Sequence, residues 1–318
     1  MLEPMLRFHY QEPEWYRFGI AVGLRNLRVN RLRLGLKKTA GKILQPINYY
    51  TRFPEYALFG RALDAFAAAA RPGQRLAVLD IGSPKLFGLH LAHTYAADAH
   101  LTDISRANID EYTLLWQSIA GEACGTVDFA RADGRSLPYA AMSFDVVYAM
   151  SVIEHIDGDE PERRVLSEML RVLRPGGLLL LSVPFGQRAI AQQLTGFSYV
   201  ADQIGSEQRY FFQRIYDADL FERQIASVLR PQLEPLQLWT VARAEHTATH
   251  AFHSVMPRLG EQVGGLLGFL NPLWSALINR DYSGVYPGVQ SVYEQLHSHH
   301  DIYGDLVVAG LKRQAPQP

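Results

Sequence analysis

The fold is decided by the stretch Arg75 to Ser105, RLAVLDIGSPKLFGLHLAHTYAADAHLTDIS. RLAVLDI is a short apolar run of strand length, closed by Gly82-Ser83-Pro84, residues that interrupt regular structure. LFGLHLAHTYAA then has the spacing of a helix, and HLTDI is a second strand ending near Asp103. A strand, a helix and a strand in so short a span make one βαβ unit, whose two strands must be parallel.

The same rhythm continues outward. Ser105 is placed to cap the helix RANIDEYTLLWQSIA, TVDFARAD is a third strand and SFDVVYAM a fourth. PERRVLSEMLRVL is a helix with Pro161 in its first turn and Val165, Met169 and Leu173 on one face; Pro175-Gly176-Gly177 stops it. GLLLLSVPF is a fifth strand, apolar on both faces as a central parallel strand must be. Upstream, YALFGRALDAFAAAA is a helix with Leu58, Ala62, Phe66 and Ala69 on one side. This alternation from Arg75 to Phe185 predicts an α/β fold, a doubly wound and mostly parallel sheet with helices on both faces and ligands at the strands' carboxyl ends. Farther on, DADLFERQIASVL reads as a helix, and EPLQLWTVA and DLVVAGLKR as strands. An insertion at about 243–303 separates those two strands; it is too long for a structureless loop and is expected to pack as helices.

With 31 Lys and Arg against 32 Asp and Glu, and 48% hydrophobic residues, the 318-residue chain has a globular composition that excludes wholesale disorder. A single cysteine, Cys124, excludes an internal disulfide framework and a multi-cysteine metal site. No apolar run reaches the roughly 18 to 20 residues that span a bilayer, and the first residues lack a secretory pattern, so a cytoplasmic location is expected. The near-neutral total hides an asymmetry. No acid lies between Glu14 and Glu55, while Arg17, Arg25, Arg28, Arg31, Arg33, Lys37, Lys38, Lys42 and Arg52 lie in that span. Residues 1–55 therefore read as a basic N-terminal extension ahead of a domain at 56–318. With Leu24, Leu27, Val29, Leu32, Leu34 and Leu36 interleaved, the extension suits an anionic partner or a peripheral position on a membrane. Val263 to Ile278, VGGLLGFLNPLWSALI, is too short to span and reads as a buried helical hairpin or an interfacial element.

The strand ends carry the candidate chemistry. Asp80-Ile81-Gly82-Ser83 follows strand one, Asp103 strand two, and Asp133-Gly134 strand three. A glycine turn lets backbone approach a ligand, an acidic residue about 20 positions on can accept from ribose hydroxyls, and a third carboxylate can accept from an exocyclic amine. Together they describe a nucleoside pocket.

Val78 to Ser83 (VLDIGS), Leu101 to Ser105 (LTDIS), Ala130 to Ile156 and Glu168 to Gly186 (EMLRVLRPGGLLLLSVPFG) resemble the class I S-adenosylmethionine-dependent methyltransferases, in particular the small-molecule group called type 11. The resemblance covers Arg75 to Gly186, about a third of the chain. It implies a Rossmann-like, seven-stranded sheet with an antiparallel last strand, and S-adenosylmethionine as cofactor. By position, Gly82 and Ser83 would face the methionine part, Asp103 with Ile104 the ribose side, and Asp133 with Gly134 the adenine; Met150 and Ser151 would floor the pocket. Asp80 would shape the loop. The implied reaction is methyl transfer to a small-molecule or glycan-like acceptor, at oxygen, with the insertion at 243–303 covering the acceptor site.

The family's first loop reads D-x-G-x-G-x-G, whereas this one reads Asp80-Ile81-Gly82-Ser83-Pro84-Lys85-Leu86. Only the first glycine survives, which leaves a noncatalytic binding or scaffold protein as the alternative and argues against a nicotinamide dinucleotide. His155 is the candidate general base, set against a structural role at the start of the next helix. His246, His250 and His253, with His297, His299 and His300, suit the lining of an acceptor pocket or ordinary packing better than a metal, for which no site is assigned. Tyr49, Tyr50, Arg52, Glu55 and Tyr56, and the later Arg209, Tyr210, Gln213, Arg214 and Tyr216, would fold over a polar acceptor. Nucleic acid is disfavoured, since no Asn-Pro-Pro-Tyr-like stretch follows strand four.

Overall fold

A computed structural model describes residues 6–8, 13–44, 46, 52–69, 73–195, 209–243, 283–287 and 304–314. Five parallel strands form its centre: β2 (Leu76–Ile81), β3 (Ala97–Asp103), β4 (Thr126–Arg131), β5 (Phe144–Met150) and β6 (Leu173–Phe185). They lie in the order β6-β5-β2-β3-β4. β11 (Gly304–Lys312) runs antiparallel on β6, and β9 (Leu233–Arg243) antiparallel on β11. These seven strands are the expected sheet, with β11 alone reversed. Two strands extend its edge: β10 (Ser283–Pro287) on β9 and β1 (Leu6–Phe8) on β10, both antiparallel.

β10 corrects one expectation. The insertion at about 243–303 is not all helical, because Ser283–Pro287 lies in it and pairs with Trp239 to Arg243. Adjacent Val285 and Tyr286, both strand-favouring residues, let this five-residue run pair wherever an open edge is available. The six histidines of the tail, Val263 to Ile278, Tyr49 and Tyr50 lie outside the described residues.

Period-two alternation sends neighbouring strand residues to opposite faces. Val78, Leu101, Val146, Tyr148, Leu180 and Val307 pack under α3 (Arg52–Ala69), α4 (Leu86–Thr94) and α5 (Arg106–Ile119). Leu79, Val147, Ala149, Leu181 and Val308 pack under α6 (Pro161–Val172) and the helix that starts as α7 (Ala218–Phe221) and ends as α8 (Ser227–Leu229). Ser105 caps α5 as its type suggests, accepting from the Asn108 N–H at 3.3 Å.

The basic N-terminal residues form α1 (Pro13–Asn30) and α2 (Leu36–Leu44), and α1 packs against the body. Buried Trp15 stacks on Phe87 at 5.1 Å between ring centres and meets Tyr56 edge-on at 5.5 Å. Asn30 donates to the Leu114 carbonyl at 2.8 Å, and Glu111 of α5 receives both Lys38 (2.7 Å) and Lys42 (2.8 Å). Trp15→Ala should lower the free energy of unfolding by about 3–5 kcal/mol in urea titration; a loss below about 1 kcal/mol would mean that α1 adds little to the domain.

Candidate active site

The carboxyl ends of β2, β3, β4 and β5 open on one edge of the sheet, since the four strands are parallel. The first loop is short, with β2 ending at Ile81 and α4 starting at Leu86. Gly82 makes the turn at φ +67°, and a β-carbon there would come within 2.9 Å of Val152. Its N–H donates to the Thr102 carbonyl at 3.0 Å, continuing the ladder onto β3. Ser83 donates its N–H to Asp80 Oδ1 at 3.0 Å, and its Oγ accepts from the Met150 N–H at 2.8 Å. Pro84 stands two residues ahead of α4, where a missing N–H interrupts no helical bond. The loop thus holds its shape through Asp80, Ser83 and Met150 without further glycines.

Lys85 ends the loop and is almost wholly buried. Its Nζ lies 2.6 Å from the Ser83 carbonyl, 2.7 Å from Asp80 Oδ2 and 3.5 Å from Asp103 Oδ2. Burial pushes the Asp80 carboxyl up from its ordinary value, and the Lys85 ammonium opposes that push. A buried lysine is uncommon without such partners. Asp103 also receives the Ser105 N–H at 2.8 Å and the Asn108 amide at 3.4 Å, and its side chain keeps 9% of its surface open. Beside it Ile104 is 43% exposed.

At the end of β4, Asp133 is held by Arg135, whose Nη2 lies 2.6 Å from Oδ2 and whose N–H donates to Oδ1 at 2.9 Å. The Arg135 hydrogen bonds keep the Asp133 carboxyl below its ordinary pKa. Gly134 backs onto β2, where a β-carbon would come 2.9 Å from Ile81 Cγ2. Asp80, Gly82, Ser83, Asp103, Met150 and Ser151 are therefore joined by hydrogen bonds or adjoin in the chain, and Gly134 closes over Ile81. Asp133 reaches none of the others through a hydrogen bond among the described residues.

A second cluster lies where β5 and β6 end. Glu55 of α3 is fully buried, and its Oε1 accepts from Ser151 Oγ at 2.8 Å and Ser182 Oγ at 2.5 Å, while Arg52 reaches Oε2 at 2.7 Å. Ser151 adopts φ +48°, a left-handed conformation uncommon for a residue with a β-carbon. Glu154 is also fully buried, and neither carboxylate oxygen has a hydrogen-bond partner among the described residues. Burial raises its pKa well above the ordinary value and so favours the protonated form.

His155 is fixed by β8 (Arg209–Ile215), which pairs with β7 (Ile190–Thr195). Its Nδ1 lies 2.7 Å from the Phe212 carbonyl, and Nε2 lies 3.7 Å from Glu154. Burial lowers its pKa to about 4, so at pH 7 the ring is neutral and weakly basic. That suits it to holding the β7–β8 hairpin against the strand-end loop better than to taking a proton. On the same hairpin Arg214 donates to the Ile156 carbonyl at 2.6 Å, and buried Tyr216 donates to Glu162 at 2.8 Å.

Sequence reasoning did not single out Lys85, Arg135 or Ser182. Arg135 was the most accessible to it, two residues beyond Asp133 in a turn. Nothing in the spacing of Lys85 marked it as buried.

The family described as "Methyltransferase domain", of the type 11 group, matches residues 79–181. An uncharacterized methyltransferase of Mycolicibacterium paratuberculosis is 34% identical over 114 residues, covering 34% of this chain and 43% of its own. The O-methyltransferase rstn1 of Aspergillus nomiae is 32% identical over 110 residues, covering 35% and 46%. The chain spans less than half the length of these curated relatives. Among solved structures, a SAM-dependent methyltransferase of Methanosarcina mazei is 15% identical with a TM-score of 0.44, covering 79% of this chain and 98% of its own.

Two outcomes are expected. Lys85→Met strands two buried carboxylates and should cost about 3 kcal/mol or more in chemical denaturation, part of it restored by adding Asp80→Asn; wild-type stability would show that the buried ion pair carries no weight. Glu154→Gln should melt about 2 °C or more above wild type at pH 8. A carboxyl whose folded pKa is raised costs stability as pH rises above its unfolded value of 4.5, so the gap should close by pH 4.5. A variant less stable than wild type at pH 8 would mean that Glu154 is ionised.

Proposed function

Residues 79–181 form a class I S-adenosylmethionine-dependent methyltransferase domain of the type 11 group, and on that premise we propose that the chain methylates a small polar or glycan-like acceptor at oxygen. The observation that carries the reading is Asp103, a carboxylate at the end of β3 whose side chain is 9% exposed, with exposed Ile104 beside it. This pair fits an adenosyl group, the carboxylate accepting from ribose hydroxyls and the isoleucine offering an apolar face to a flat ring. Gly82, Ser83, Met150 and Ser151 would border the rest of the cofactor, with Asp133 and Gly134 at the adenine end and Asp80 shaping the loop from beneath.

S-adenosylmethionine, when bound, supplies an electrophilic methyl group on a sulfonium. What this chain adds is placement, since an in-line displacement needs the reacting atoms held at about 3–3.5 Å. Ser151 donates a hydrogen bond from its hydroxyl to Glu55, which leaves lone pairs on Ser151 Oγ to accept from an incoming hydroxyl. Arg52 keeps Glu55 in place for that. The Aspergillus relative's name, an O-methyltransferase, supports oxygen as the acceptor atom. His155 orients the hairpin, and no side chain need remove the acceptor's proton before the methyl moves if the proton leaves late.

Lys85 favours a second reading, a noncatalytic member of the fold, because its ammonium already lies between the carboxylates of Asp80 and Asp103. Isothermal titration with S-adenosylmethionine and S-adenosylhomocysteine separates the two. Catalysis calls for binding in roughly the micromolar range that weakens about tenfold or more in Asp103→Ala. No heat of binding from a folded chain would establish the noncatalytic reading instead.

A further inference from the structure

α1 has two unlike faces. Trp15, Val22, Asn26 and Asn30 face the body and are buried, Leu24, Leu27 and Arg28 face outward, and Val29 is exposed at the helix end. The helix ends where Arg31 takes a left-handed φ of +54°, and the turn to α2 presents Arg31, Leu32 and Arg33 before Leu36 opens α2. Eight large hydrophobic residues are exposed among the described ones, and five of them lie between Leu24 and Leu36. Their exposures run from 37% at Leu27 to 72% at Leu36. The other three, Ile104, Met142 and Leu311, belong to separate elements. Isolated exposed apolar residues are ordinary, whereas a group on one helix end and its turn marks a surface with an occupant.

Charge identifies the occupant. Glu111 and Glu122 of α5 and its following turn are the acids that meet this segment, and they are engaged by Lys38, Lys42 and Arg25. Arg28, Arg31 and Arg33 make no ion pair among the described residues and are exposed alongside the leucines. Guanidinium groups interleaved with leucine and valine suit a surface that is anionic at its outer plane and apolar just beneath. A polynucleotide or an acidic peptide would use the arginines and leave five apolar side chains in water. We propose that this face docks on an anionic phospholipid bilayer, with Leu32 and Leu36 at the turn entering the interfacial region and Arg28, Arg31 and Arg33 meeting the headgroups.

The contact is peripheral: no helix among the described residues is long and apolar enough to cross a membrane. It holds whether or not the chain transfers methyl groups.

The test is sedimentation of the full chain with vesicles of 70% phosphatidylcholine and 30% phosphatidylserine (about these proportions), against pure phosphatidylcholine, at low and high salt. The chain should pellet with the anionic vesicles only, and high salt should release most of it. Leu32→Ser with Leu36→Ser alters exposed side chains and should leave the melting temperature unchanged while lowering the bound fraction about tenfold. Arg28→Gln, Arg31→Gln and Arg33→Gln together should abolish the difference between the two vesicle types. Equal pelleting by wild type and the serine variant would reduce the interaction to simple polyanion binding and overturn the proposal. So would failure of the wild type to pellet, or light scattering showing a dimer that the serine variant breaks.

Discussion

The site rests on one buried ammonium. Lys85 sits where β2, β3 and the start of α4 meet, against Asp80, Asp103 and the Ser83 carbonyl. Removing a lysine from water is costly unless oxygen atoms replace its hydration, and two carboxylates at one sheet edge need a cation for the same reason. Each group makes the burial of the others tolerable. With Gly82 bonded to Thr102 and Ser83 to Met150, the ion pair fastens three strand ends into one floor.

This arrangement gives the acidic rim an unusual electrostatic state. Asp80 is paired with Lys85 from within the loop and Asp133 with Arg135, while Asp103 meets Lys85 only at 3.5 Å and is held mainly by the Ser105 N–H and the Asn108 amide. The second cluster, Arg52 with Glu55, Ser151 and Ser182, lies at the ends of β5 and β6, beside the first. Ser151 belongs to both. Its left-handed backbone sets its N–H on Ser182 and its hydroxyl on Glu55, so one residue couples the strand-end floor to α3.

Most of the fold was legible because parallel βαβ units leave strong local marks: apolar runs of strand length, amphipathic helices and glycine or proline breaks. The reversed β11 followed only from the family resemblance, because antiparallel pairing between distant segments has no local signature. Strand β10 was missed for a related reason, since a five-residue run in a long insertion becomes a strand only when β9 offers it an edge. The basic segment's composition was plain, but Leu32 to Leu36 alternates like a strand while Leu24 and Leu27 have helical spacing, and this mixture hid two helices, the first with its buried face set by Trp15, Asn26 and Asn30. Within the site, the aspartates were found from their places at strand ends. Lys85 was not, because lysine usually marks solvent and only tertiary structure brings Asp80 and Asp103 around it.

Cofactor binding requires Asp103 to exchange part of its internal contacts for a ribose. A crystal structure of the chain with S-adenosylhomocysteine tests this directly. It should show both ribose hydroxyls within hydrogen-bonding distance of the Asp103 carboxylate, with the Lys85 ammonium still on Asp80. A nucleoside bound away from Asp103, or Lys85 closing onto Asp103 so that no ribose approaches, would contradict it.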